Sequence, residues 1–168
     1  MSGTSRLAFR VALALALPIA VLASVSPAHA EPTLPTKPVL TLEAARRVAH
    51  AAEAEAKRRG LGVVVAVMDD SGTLVVLERL DDTQIASVDV AIAKARTAAI
   101  FRRPSGVFED QVKNGRVAAL ALPGAAALRG AVPLTYQGRV IGAIGVSGDS
   151  PTVDEEIASA GAAALGRE

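Results

Sequence analysis

The side chains able to do chemistry in this sequence are few, and most fall on predicted helices. His50 offers an imidazole, which serves as a base or as a transition-metal ligand. Lys94, Arg96, Arg102 and Arg103 crowd one helix and its end, where guanidinium forks suit carboxylate partners. Thr97 stands among them in the run KARTA. Carboxylates gather at Glu53 and Glu55 and at Asp154, Glu155 and Glu156, and hard metal cations prefer such oxygen ligands. The 154–156 group reads first as a helix N-terminal cluster, because acids there meet the positive end of the dipole. Ser71, Ser87, Ser105 and Ser147 are present, but one histidine on a polar helix face would have to be their base. No G-x-S-x-G elbow, H-E-x-x-H pair or P-loop occurs. With no cysteine, disulfides, thiolate metal sites and a thiol nucleophile are excluded.

The stretch RVIGAIGVSGDSP, Arg139 to Pro151, invites a reading as a nucleotide-binding glycine loop. Its spacing is G-x-x-G-x-x-G, and Gly142 and Gly145 fall inside an apolar strand, where the dinucleotide fingerprint needs them in the turn. Strand glycines instead let a helix, a neighbouring subunit or a flat ligand approach the sheet.

These residues must be positioned by elements legible in order. Met1 to Ala30 reads as a signal peptide. Arg6 and Arg10 precede the apolar run VALALALPIAVLASV, and Ala28-His29-Ala30 is a cleavage site of small residues. The expected destination is outside the cytoplasm, secreted or extracytoplasmic, and His50 is then the only histidine of the mature protein. Residues 31–39, with three prolines, form an extended leader. The domain proper is 40–168. The charge balance after residue 30 is close to neutral: without Arg6 and Arg10, sixteen basic residues face seventeen acidic ones. Neither that balance nor the four aromatic residues favour nucleic-acid binding.

Thr41 caps a first helix that stops at Gly60, with His50 on its polar face beside Glu43, Arg46, Glu53 and Lys57. Leu61 to Met68 and Thr73 to Leu80 form a hairpin around DDSG. A second helix runs from Ser87 to Phe101, and Ser105 caps a short third one, Gly106 to Asn114. Arg116 to Gly130 is irregular or loosely helical. Ala131 to Tyr136 and Arg139 to Ser147 form a second hairpin around Gln137-Gly138. Thr152 to Leu165 is the last helix, with Thr152 and Glu155 at capping-box spacing. The order α-β-β-α-α-β-β-α predicts an α+β domain on an antiparallel sheet.

From Leu40 onward the chain resembles the GlcG/HbpS-like haem-binding family, which includes the C-terminal domain of PduO. The stretches carrying the likeness are LTLEAARRVAHAAEAEAKRRGLGVVVAVMDDSGTLVVLERLDD, IASVDVAIAKARTAAIFRRPS, LALPGAAALRGAVPL and GRVIGAIGVSGDSPTVDEEIA. The resemblance implies a profilin-like sandwich with a five-stranded antiparallel sheet and flanking helices. The fifth strand is then expected at Ala119 to Leu122. It also implies haem as the ligand, free iron as a second one, and homo-oligomers up to octamers. His50, on the first helix, becomes a candidate haem-iron ligand, and Thr97 a residue near the iron. Lys94 and Arg96, with Arg102 and Arg103, become partners for haem propionates. The implied function is haem or iron capture, buffering or redox sensing by a secreted protein. Haem degradation, turnover of a small organic acid, and service to a membrane sensor kinase are the alternatives.

Overall fold

The computed structural model describes residues 33–166, so the expected signal segment, 1–30, lies outside the described residues. No helix among the described residues is long and apolar enough to cross a membrane. Residues 33–39 have no regular structure and are mostly exposed. Four α-helices and four strands follow: α1 Leu42–Arg58, β1 Val64–Asp69, β2 Leu74–Arg79, α2 Ser87–Phe101, α3 Gly106–Lys113, β3 Ala131–Tyr136, β4 Arg139–Ser147 and α4 Pro151–Ala162.

The strands make one antiparallel sheet in the order β2-β1-β4-β3. Each hairpin is closed by turn chemistry. Asp69 Oδ1 accepts hydrogen bonds from the amides of Ser71 (2.9 Å) and Thr73 (3.0 Å), which folds the first turn over its own side chain. In the second, Gln137 (φ 48°) and Gly138 (φ 73°) both take the left-handed conformation that a two-residue hairpin favours. Pro133 sits in β3, an edge strand, where its missing N–H is tolerated.

Alternating side chains divide the core between the two faces of the sheet. Val65, Val67, Val76, Leu134, Ile144 and Val146 pack under α1 and α4 with Val48, Ala49, Ala52 and Ile157. Val64, Ala66, Met68, Ala131 and Ala143 pack under α2 with Ala91, Ala95, Ala98 and Ala99. Gly145 explains the closeness of that second layer. A Cβ there would lie 2.6 Å from both the Ala91 carbonyl oxygen and the Ala95 nitrogen, so α2 rests directly on β4.

The expected fifth strand is absent among the described residues. Residues 119–122 instead fall in and just after a 3-10 turn, Val117–Ala121. The reason is local. Gly115 (φ 90°) and Gly124 (φ 76°) break the chain on either side, and Val117 and Leu120 face solvent, so no alternating buried face exists to pair. Two expected caps also differ. Ser150, not Thr152, is the N-cap residue of α4, with Pro151 at its first position. Ser105 precedes α3 as expected, but its hydroxyl accepts from the Ala131 amide (3.0 Å) and so ties α3 to β3.

Candidate functional site

α1 starts where Thr41 Oγ1 accepts from the Ala44 amide at 3.2 Å. Its apolar stripe of Ala45, Val48, Ala49, Ala52 and Ala56 is buried. That orientation fixes the opposite face in solvent and places His50 there. The imidazole is well exposed, and its Nε2 lies 3.5 Å from Glu78 Oε1 on β2. Glu78 pairs with Val65 in the ladder and therefore points to the α1 side of the sheet. Its second oxygen, Oε2, is buried with no hydrogen-bond partner among the described residues. Glu78 was missed in the sequence because only tertiary packing brings β2 beneath α1.

Four other residues join His50 in lining an open groove of about 680 Å³: Leu42, Glu43, Arg46 and Arg47. Helical spacing of three, four, seven and eight residues stacks them along one strip of α1. The strip holds an imidazole with one ring nitrogen turned to a carboxylate, a half-exposed apolar side chain, two guanidinium groups and the single carboxylate of Glu43, so cations outnumber anions in the groove. This donor set fits an iron porphyrin. A histidine ligand is commonly held by a carboxylate on its other nitrogen, and guanidinium groups suit propionates.

Thr97 lies elsewhere. α2 packs on the opposite face of the sheet from α1, so one chain does not bring Thr97 and His50 to a shared ligand. The Thr97 hydroxyl is fully buried. It donates to the Ala93 carbonyl (2.8 Å) and accepts from the Ala126 amide (2.8 Å). The residue thus bonds back along its helix and holds the segment after the 3-10 turn. Its burial, and not a shortage of lone pairs, keeps it from a ligand in this arrangement.

Lys94 is not part of a solvated helix end. It is 4% exposed, and its Nζ donates to Asp154 Oδ2 (2.7 Å) and to the Val146 carbonyl (3.0 Å). Asp154 also accepts from the Asp149 amide, yet burial raises its carboxyl above the usual range against the pull of Lys94. The lysine spans from α2 to the first turn of α4, and Gly130 leaves it room: a Cβ there would lie 2.7 Å from Nζ. Arg96 is exposed, and its aliphatic stem lies over the Gly72 turn. Arg103 rests over the Phe108 ring, 5.8 Å from its centroid. The acids at 154–156 are absorbed by structure as well. Glu155 pairs with Arg129 and Glu156 with Arg59. No cluster of three metal-ligating side chains occurs among the described residues.

A family model described as "Haem degrading protein HbpS-like" matches residues 40–163. Protein GlcG of Escherichia coli strain K12 is 39% identical over 112 residues, covering 67% of this chain and 84% of that protein. The crystal structure of a double mutant of Streptomyces reticuli HbpS aligns with a TM-score of 0.75 at 36% identity, covering 86% of this chain and 99% of that one. The crystal structure of a PduOC–heme complex aligns with a TM-score of 0.70 at 27% identity, covering 77% and 96%.

Proposed function

Because the chain belongs to the HbpS-like family, we propose that it is an exported haem-binding protein that captures or buffers haem through the His50 strip of α1. The observation that carries the reading is the exposed imidazole against Glu78 in a groove shared with Leu42, Arg46 and Arg47. In it, His50 supplies the iron ligand, Glu78 fixes the ring, the two arginines meet propionates and Leu42 lies along the porphyrin. Bound haem would supply an iron centre for storage or redox sensing. Thr97 and Lys94 support the scaffold, and Arg96 is available to an acidic group approaching the β1–β2 turn. Free iron alone has weaker support, since the candidate carboxylates Glu53, Glu55, Asp154, Glu155 and Glu156 are engaged in ion pairs. The groove covers only one side of a flat ligand, so a second copy of the chain completes the site in a homo-oligomer. Export follows from the apolar leader, and the mature protein should begin at Glu31, as read by intact mass from culture fractions.

Hemin titration of the mature domain tests the site. A saturable Soret shift is expected, lost or weakened at least tenfold in His50→Ala and retained in Thr97→Val. No saturable shift ends the haem reading, and loss in Thr97→Val with retention in His50→Ala moves the site to α2. A second reading, haem breakdown, draws on the description of the matching family. A Soret band that decays with iron release when an electron donor is added would favour it, and a stable band would favour binding. Service to a membrane sensor is a third reading, checked by co-purification with the sensor's extracytoplasmic domain.

A further inference from the structure

Away from α1, the two hairpin turns and the end of α2 meet at one end of the sheet. They enclose a pocket of about 340 Å³ lined by Lys37, Pro38, Asp70, Arg102, Gly138, Arg139, Val140 and Ile141. The cations in it are unequal. Lys37 Nζ lies 2.6 Å from Asp70 Oδ2, so that pair is neutral overall. Among the described residues Arg139 donates only to the backbone carbonyl of Thr36, at 3.3 Å, and meets no carboxylate. Arg102 has no hydrogen bond or ion pair among the described residues. The pocket therefore presents two free guanidinium charges beside an already neutralised carboxylate.

The backbone adds an independent observation. Arg102 terminates α2 in the left-handed conformation, φ 54°, ψ 39°. Glycine is the residue that relaxes this position, because the Cβ of any other residue crowds the following carbonyl oxygen. The following Arg103 precedes Pro104 and is itself biased toward extended backbone, so the chain turns sharply at Arg102. Strained residues of this kind recur at ligand clamps.

We propose that this pocket is a second binding site, specific for a small dianion such as a phosphate or a short dicarboxylate. Arg102 and Arg139 supply paired fork donors, and Lys37–Asp70 forms the wall. Guanidinium groups bind both kinds of oxyanion bidentately. The site does not depend on haem and shares no residue with the His50 strip.

Calorimetric titration of the mature domain at pH 8 and constant ionic strength, with inorganic phosphate, malonate and acetate in separate arms, tests the proposal. Saturable binding of phosphate or malonate at least tenfold tighter than acetate is expected, and the stronger of the two identifies the source. Arg102→Gly should abolish that binding while leaving the melting temperature unchanged or higher, and Arg139→Gln should weaken it at least fivefold. Hemin binding should be unaltered in both variants. Absence of saturable binding, binding that survives Arg102→Gly, or loss of hemin binding in Arg102→Gly would each overturn the assignment.

Discussion

At the scale of single residues, the hydroxyl of Thr97 and the imidazole of His50 differ in what the fold leaves them: the first is buried among backbone partners, the second is exposed on α1. KARTA reads as a run of ligand groups, but Thr97 is engaged by the Ala93 and Ala126 backbone and Lys94 by Asp154 and the Val146 carbonyl. Thr97→Val leaves the Ala126 amide without its acceptor in a part-buried place. It should cost about 1–3 kcal/mol, read as a lower denaturant midpoint. His50 was legible as a candidate because it is the sole histidine after the leader. Glu78 was not, because a strand glutamate carries no local sign of the helix that will cover it. Arg102 was legible only as a charge. Its left-handed backbone depends on how Pro104 and β3 redirect the chain, which no spacing rule states.

Elements explain which charges are spent on architecture. Lys94 and Asp154 fasten α2 to the first turn of α4 across the end of β4. Lys94→Ala strands a buried carboxylate and should cost about 3–5 kcal/mol by equilibrium unfolding. A Lys94→Met, Asp154→Leu double variant, which removes both charges, should recover most of that loss. At the end of α1, hydrogen bonds from Arg58 and then Arg59 hold the Glu55 carboxyl down at about 2, from an ordinary 4.5. A depressed carboxyl stabilises the fold above its unfolded value and loses that effect as pH falls through its folded value. Melting temperature should therefore fall between pH 4.5 and pH 2, and Glu55→Gln should flatten that part of the profile. The helices and hairpins were readable because caps, glycines and alternation agree there. Residues 115–130 were not, since alanine, leucine and glycine without a period leave a turn, a strand and a helix equally open.

For the whole molecule, the core under α2 is built largely from alanine, and each methyl buried contributes only about 0.8 kcal/mol. Apolar side chains such as Ile85, Leu120 and Leu128 remain exposed. Both facts favour assembly, and light scattering of the mature domain at micromolar concentration should give a mass of at least two chains. A monomer would contradict it. The antiparallel α+β plan followed from two tight hairpins separated by helices. The strand count did not, because the fifth strand rested on likeness alone and not on an alternating pattern.

Pro133 gives the sheet a direction of growth. On β3 the outer rim lacks a donor at that position, and β3 has no second neighbour among the described strands. The opposite rim, β2, contains no proline and carries Leu74 and Leu77 exposed. A foreign extended segment can therefore add to this protein from one side only. Were the domain to polymerise through its strands, β2 would be templated while β3 terminated the stack. A fibre of that kind needs a second joining surface, and a charged substitution at Leu77 would close the one remaining rim.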